Sequence, residues 1–212
     1  MNKKYIIFSV LVFLAGCYSV SRVIEPVIRL QIPRDQRLLI AVMNFENAGG
    51  DPENDALVKP VYARLVNELE NTNKFRIIER KRLESVMEEL NLGMTGLIDS
   101  GKMKEIGKLL GADAVLLGEL SSVKYTHSKQ SIFIMWTEGE KTTVSMNARL
   151  VNTETGELLA SAGADAFVKQ RNWVAFWFAK LGRKIDRKSV TDTAVELACK
   201  QLAIDISRKA YE

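Results

Sequence analysis

The first half of the chain alternates apolar runs with segments of helical periodicity. Residues 38–45 form an apolar run, which is typical of a strand covered on both faces. Hydrophobic side chains then recur at helical spacing, at Leu57, Val61, Leu65 and Leu69. This spacing predicts a helix over 55–70.

The same alternation of strand and helix patterns continues towards the middle of the chain. It predicts strands over 75–80 and 112–120 and helices over 81–92 and 102–110. Gly93 is expected to end the first of these helices. Gly111 is suited to the left-handed conformation that ends the second.

The second half has the pattern of an antiparallel meander followed by a helix. It predicts strands over 121–136, 142–151 and 157–168, turns over 137–141 and 152–156, and a closing helix over 192–210. The middle strand alternates cleanly between apolar and polar side chains. Small side chains line one face of the last strand, at Ala160, Ala162, Ala164 and Ala166. Another element, such as a helix, is therefore expected to pack closely there.

This order of elements predicts the fold class. A β-α-β-α-α-β order, then a β meander and a final helix, favours a single α/β domain with a mixed β-sheet flanked by helices. Removal of an N-terminal signal leaves enough chain for one good core and too little for two comfortable domains. We therefore expect one domain over 37–212.

The N-terminus has the features of an export signal. Lys3 and Lys4 precede an apolar run, and Leu14-Ala15-Gly16-Cys17 ends it. This resembles the bacterial lipobox, in which Cys17 becomes the acylated first residue. The alternatives are a buried apolar segment with a chance cysteine and an uncleaved anchor. The run is shorter than the about 20 residues that a spanning helix needs, which argues against an anchor.

The predicted organisation is a signal peptide over 1–17, a short tether over 18–36 and the domain. By the lipoprotein sorting rule, an aspartate after the cysteine favours the inner membrane. Tyr18 stands there instead, so we expect a lipid-anchored outer-membrane protein that faces the periplasm. The tether is too short to hold the domain far from the membrane.

The charge and the cysteine content of the chain give no reason to expect a nucleic-acid-binding protein or an intrachain disulfide. The chain has 30 Lys and Arg against 26 Asp and Glu, and the signal takes two of the lysines with it. The mature chain is therefore nearly neutral, and its charge gives no reason to expect nucleic acid as a partner. Cys199 has no second cysteine left to pair with, and its helical setting predicts a buried structural thiol.

Three segments together resemble the CsgG family. They are Phe75-Arg76-Ile77-Ile78-Glu79-Arg80, residues 110–120 (LGADAVLLGEL) and residues 148–159 (ARLVNTETGELL). Each is common alone, but their order together with the lipobox is specific. The resemblance implies a CsgG-like periplasmic domain that forms homo-oligomeric rings and serves assembly or export, as in curli secretion. Envelope proteins or exported subunits are then the expected partners, beside the membrane lipid at Cys17.

Some members of that family insert two hairpins per protomer and form a pore. The corresponding segments here are 123–148 and 167–190. Both alternate poorly, which disfavours insertion. Read as a helix, the second segment presents Trp173, Phe176 and Trp177 on one side with basic flanks, which suits contact with a membrane or a partner. Ordinary core packing is the alternative for these aromatic residues.

The chain is not expected to be an enzyme. Its one histidine, His127, lies in a polar stretch, and no cluster has metal-binding spacing, so no cofactor or metal is predicted. Besides an assembly or export component, the sequence leaves open an LpoB-like, non-catalytic regulator of a cell-wall synthase or other envelope partner. A hydrolytic envelope enzyme is disfavoured by the poor catalytic inventory.

Overall fold

A mixed β-sheet with helices on both sides organises the chain. The computed structural model describes residues 19–20, 32–92, 100–132, 135–175, 179–181 and 186–212. Within these residues, eight strands form one sheet. The predicted fold class, a single α/β domain with a mixed sheet, is confirmed.

Four short strands precede three long ones along the chain, and a short strand follows them. The strands are β1 (Ser19–Val20), β2 (Leu38–Val42), β3 (Glu46–Asn47), β4 (Phe75–Ile77), β5 (Ala114–Ile132), β6 (Met135–Asn152), β7 (Leu158–Ala175) and β8 (Ala179–Leu181). The helices are α1 (Asp55–Asn71), α2 (Arg80–Glu89), α3 (Ser100–Leu110) and α4 (Arg187–Lys209). From β2 onward the predicted order of the main elements is confirmed.

The sheet joins a parallel part to an antiparallel part. Its order is β1-β7-β6-β5-β2-β4, with β3 beside β5 and β8 beside β7. Strand β2 pairs in parallel with both β4 and β5. The pairs β5–β6, β6–β7, β7–β8 and β1–β7 are antiparallel. The α-helical crossovers supply the parallel pairs, and short connections join β5 to β6, β6 to β7 and β7 to β8.

Two hydrophobic cores lie on opposite faces of the sheet. We call the side covered by α1 and α4 the helix face and the other side the open face. The helix-face core includes Ile40, Leu65 and Leu202. On the open face, α2 and α3 cover β2, the start of β5 and the end of β6, with Ala41, Val115 and Val151 buried beneath them. Strand β2 is therefore covered on both faces, as its apolar run predicts.

The predicted close packing on the alanine face of β7 is also confirmed. Ala160, Ala164 and Ala166 are each at most 5% exposed and belong to the helix-face core. Ala194 and Ala198 of α4 lie in the same core. Small side chains on both elements let the helix approach the sheet.

Two predicted chain reversals have the expected geometry. Gly111 follows α3 with φ of +65°, and Gly156 has φ of +77° in the turn between β6 and β7. Asn152 Oδ1 accepts hydrogen bonds from the backbone N–H groups of Glu154 and Thr155 at 2.8 and 2.9 Å, which closes that turn.

The end of α2 differs from the prediction. The helix ends at Glu89 rather than at residue 92, because Asn91 adopts the left-handed conformation with φ of +52°. Asparagine tolerates this region better than most side chains, and it ends the helix two residues before Gly93. Gly93 itself lies outside the described residues.

The predicted turn over 137–141 is wrong. Those residues lie inside β6, where Gly139 is opposite Ser128 and Glu140 is opposite His127. The predicted strand over 112–120 and most of the predicted strand over 121–136 form one strand, β5, with a bulge at Ser121 that shifts the register. Met135 and Trp136 already belong to β6. Strand β7 also continues beyond the predicted residue 168 to Ala175.

The described helices give one finding about membranes. None of them combines enough length with enough apolar character to cross a bilayer. The predicted signal over 1–17 lies outside the described residues, as does most of the tether over 18–36.

Candidate functional site: the distal sheet

The outer parts of β5, β6 and β7 form a sheet that continues past the body of the domain. We call residues 122–132, 135–145 and 165–175 the distal sheet. Strand β5 has 19 residues and spans about 63 Å, whereas strands of globular domains have about 5–6 residues. A strand of this length needs a reason beyond the packing of one core.

One edge of the distal sheet is open. Strands β2 and β3 pair with β5 only as far as Leu120. Beyond that point no described strand pairs with the outer side of β5, so residues 122–132 present free backbone donors and acceptors. Residues 124–131 are all exposed. A long open edge of this kind favours pairing with another chain.

An ion pair attaches the distal sheet to α4 on the helix face. Arg187 Nε donates to Glu140 Oε1 at 2.6 Å, and Glu140 is 8% exposed. Hydrogen bonding to Glu140 raises the pKa of Arg187 above its ordinary value. The guanidinium also lies 5.0 Å from the ring centroid of Tyr125. The first residue of α4 therefore contacts both β5 and β6.

This contact was not predicted from the sequence. The sequence predicts a turn at Glu140. Glu140 and Arg187 also lie far apart in the chain, and no local pattern links them. Asp186, whose side chain accepts from the Lys188 backbone N–H, caps α4 and fixes where Arg187 begins the helix. A predicted start at residue 192 missed this first turn.

Strand β1 places the N-terminal segment beside the distal sheet. Ser19 is opposite Lys169 and Val20 is opposite Val168, in antiparallel register on the outer edge of β7. Cys17 lies outside the described residues and stays a predicted lipidation site.

The predicted aromatic contact residues are only partly described. Phe176 and Trp177 lie outside the described residues. The backbone of Trp173 belongs to β7, opposite Thr137 of β6 and Leu181 of β8. The helical interpretation of this segment is therefore wrong at residues 173–175 and 179–181, which are strands. Pairing on both sides of β7 at Trp173 stabilises the extended backbone there.

No catalytic constellation is formed by the described residues. His127 is exposed on β5, and its register position faces Glu140. No group of three or more His, Cys, Asp or Glu side chains in the described part of the chain is arranged to hold a metal ion. A shallow polar depression on the open face includes Glu119, which accepts from Asn147 Nδ2 at 3.0 Å. In the described residues the Glu119 carboxylate there has no histidine, cysteine or metal-binding group arranged beside it.

Cys199 is a structural thiol, as predicted. It is fully buried in the helix-face core, and its Sγ donates to the Val61 carbonyl oxygen at 3.8 Å. Burial raises the pKa of the Cys199 thiol to about 12. A thiol with so high a pKa is a poor nucleophile at neutral pH.

Comparison with known proteins identifies the family. The family model described as curli production assembly/transport component CsgG matches residues 27–209, most of the chain. No curated protein matches the chain significantly.

Solved structures resemble the chain at low identity and low TM-score. The LpoB C-terminal domain from Escherichia coli is 20% identical with a TM-score of 0.43, over 61% of this chain and 81% of that one. Lipoprotein GNA1162 from Neisseria meningitidis is 18% identical with a TM-score of 0.44, over 78% and 98%. These likenesses are too weak to transfer a function.

Proposed function

The chain belongs to the CsgG family, and we propose that it is an oligomeric component of envelope assembly or export, anchored by lipid at Cys17 to the outer membrane and facing the periplasm. In this proposal the protein acts by binding and assembly, without catalysis. Its partners are membrane lipid, further copies of the chain, and envelope proteins or exported subunits.

The open edge of β5 is the observation that carries this proposal. Over residues 122–132 the side of its backbone that faces away from β6 pairs with no described strand, and it is a template for another strand. The opposite edge of the distal sheet is β7 with β1 and β8 paired along its outer side, and these strands differ from β5 in sequence. Pairing of unlike edges is heterologous, and it closes into a ring when the rotation between copies allows it. Assembly of copies would therefore satisfy the exposed backbone of each β5.

Lipid at Cys17 is consistent with the position of β1. Cys17 precedes Ser19 by two residues, so its Cα lies within about 7 Å of the Cα of Ser19. Several acyl chains at that position would hold the distal sheet close to the membrane. Trp173, Phe176 and Trp177 would then contact the membrane interface or a partner, which is where aromatic side chains are favoured.

A pore-forming version of this function is tested by conductance in planar bilayers. The described part of the distal sheet carries charged residues on both faces, with Lys129 and Glu138 on one and Lys124 and Lys141 on the other. A strand exposed to acyl chains needs one apolar face. The export role is therefore proposed without a spanning pore as a requirement.

Oligomer size and backbone protection test the proposal together. The acylated chain is purified in detergent, its mass is measured by light scattering, and amide hydrogen exchange is followed along β5 and β6. We expect a multimer in which the amides of residues 122–131 that point away from β6 are also protected. The matched control is residues 138–147 of β6, which already have a partner on each side and should be protected in any state.

A monomer with rapidly exchanging amides on β5 would contradict the assembly role. It would favour the alternative, a monomeric LpoB-like regulator that binds a cell-wall synthase or other envelope partner. Labelling with radioactive palmitate, compared between the wild type and Cys17→Ser, tests the anchor separately. Incorporation that survives the substitution would exclude Cys17 as the lipid site.

A further inference from the structure

The two faces of the distal sheet differ in how their charges are balanced. On the helix face, Arg187 pairs with Glu140, and Lys129 Nζ lies 3.6 Å from Glu138 Oε1. The open face instead carries four cations, which come from all three strands of the distal sheet. They are Lys124, Lys141, Lys169 and Arg171.

The strand register brings these cations together. Lys141 of β6 is directly opposite Lys169 of β7. Lys124 of β5 is opposite Thr143, one row further towards the body, and Arg171 lies one row further out. The three rows span about 13 Å along the strands. Like charges directly opposite in a sheet are destabilising, so this arrangement has a cost in the isolated chain.

Nothing in the described part of the chain neutralises this surface. None of the four cations pairs with a described carboxylate. Among the described open-face positions of the distal sheet, Asp165 is the one acidic residue. It already accepts a hydrogen bond from Ser145 Oγ. Lys141 Nζ lies 4.4 Å from the ring centroid of Phe167, which holds the ammonium group over the sheet.

We propose that this basic face binds the anionic phospholipid headgroups of the membrane that holds the acylated Cys17. The charges are complementary, because the headgroup phosphates are negative and can neutralise the four cations. The choice of a membrane as the ligand rests on the proposed function, since it depends on lipid at Cys17.

The position of β1 favours a membrane over other polyanions. Ser19 is opposite Lys169, so the Cα of Cys17 lies within about 12 Å of the Cα of Lys169. Acyl chains attached there bring a layer of headgroups to the rows of Lys169 and Arg171. Lipid and basic side chains then act as two signals at one place, which is the combination that makes peripheral anchoring stable.

Binding to vesicles without the acyl group tests the inference. The full mature chain with Cys17→Ser is mixed with vesicles of phosphatidylcholine, with and without phosphatidylglycerol, at low and high salt. We expect binding only to the vesicles with phosphatidylglycerol, and weaker binding at high salt. Each cation near an anionic surface contributes about a fivefold change in affinity, so Lys141→Gln with Lys169→Gln should weaken binding about 25-fold.

A matched double variant controls for total charge. Lys104 and Lys108 are exposed on α3, away from the distal sheet. Lys104→Gln with Lys108→Gln removes the same charge and should leave vesicle binding unchanged. Thermal melts confirm that both double variants are folded. Lys141→Gln with Lys169→Gln removes the contact between Lys141 and Phe167. Apart from the effect of that contact, its melting temperature should be no lower than that of the wild type.

Three results would overturn the inference. They are equal binding to neutral and anionic vesicles, equal loss in both double variants, and binding to soluble polyaspartate or DNA in preference to phosphatidylglycerol vesicles. The proposed function fails on different evidence, namely a monomer in detergent or no palmitate at Cys17. Absence of vesicle binding with a palmitoylated multimer would therefore reject only the headgroup contact.

Discussion

The two halves of β5 experience different surroundings although they form one strand. In residues 114–120, five of the seven are buried, and apolar side chains enter the cores on both faces of the sheet. In residues 124–131 every side chain is exposed. The first half is stabilised by burial, and the second half by its pairing with β6 and by strand-forming residues such as Val123 and Tyr125.

The comparison shows which half stabilises the domain. The body contributes most of the hydrophobic free energy of folding, together with Val144, Ala166 and Val168, where the distal sheet joins the helix-face core. The rest of the distal sheet adds hydrogen bonds and surface charge whose net contributions are small. A distal sheet that adds little to folding is available for contacts with other molecules. Substitutions in the body and in the distal sheet should therefore differ in their effect on stability.

The largest difference is expected between two positions of β6. Leu150 is fully buried in the helix-face core, so Leu150→Ala should lower the free energy of unfolding by about 2–5 kcal/mol. Glu138 lies twelve residues earlier in the same strand and pairs with Lys129 on the surface. Glu138→Ala should change stability by less than about 1 kcal/mol. Urea unfolding of both variants measures the difference, and comparable losses would contradict the division into two halves.

Alkaline pH should destabilise the body through Cys199. The pKa of this thiol is about 12 in the folded chain against an ordinary value of 9.0, because burial disfavours the thiolate. The unfolded chain therefore loses its proton first, and stability present below pH 9 is lost as the pH rises towards 12. The loss by about pH 11 is on the order of 3 kcal/mol.

A variant isolates this contribution from that of other groups. Burial also raises the pKa of Tyr62 and of Tyr211, which adds to the alkaline loss. In a Cys17→Ser background, Cys199→Ala removes only the thiol. Its free energy of unfolding should fall less steeply with pH above pH 9 than that of the parent. Parallel curves would show that Cys199 does not titrate differently in the folded and unfolded chains.

The same contrast explains what could be predicted from the sequence. In the body, burial imposes a regular pattern, so α1 and β2 are recognisable from their hydrophobic spacing. In the distal sheet neither face of β5 is buried, and its sequence carries no such pattern. The polar residues 137–141 then have the composition of a turn, and the apolar run over 132–136 has that of a strand interior. Pairing with β5 and β7 nevertheless places residues 137–141 in a strand.

The candidate site divides in a similar way. Cys17 is predicted from a local motif that needs no tertiary structure. The basic face depends on the register of three strands, and the bulge at Ser121 changes which side chains of β5 share a face. A count of charges along the chain cannot supply that register. The pairing of Glu140 with Arg187 depends in addition on where α4 packs.

Two glycines, one in the body and one in the distal sheet, differ in how much space a side chain would have. A Cβ on Gly118 would lie 2.3 Å from ring atoms of Phe45, which is itself buried. Gly118→Ala should therefore cost about 1–3 kcal/mol through overpacking. A Cβ on Gly139 would meet Ser128 Oγ at 2.8 Å, but that short side chain lies on an exposed strand and can rotate.

Gly139→Ala is thus the matched control in the distal sheet. It restricts the unfolded chain, and alanine suits an extended strand, so the variant should be as stable as the wild type or more stable by about 0.4–1 kcal/mol. Melting temperatures of the two alanine variants give the comparison directly. A larger loss for Gly139→Ala than for Gly118→Ala would mean that the distal sheet is packed as tightly as the body.

The smallest expected change has opposite signs in two measurements. Lys169→Glu places a carboxylate directly opposite Lys141, so a repulsive cross-strand pair becomes an attractive one. The variant should gain about 0.2–1 kcal/mol in free energy of unfolding. It should also bind anionic vesicles more weakly, because the basic face loses a cation and gains an acid. Gain of stability with loss of vesicle binding separates the two roles, since damage to the fold would lower both.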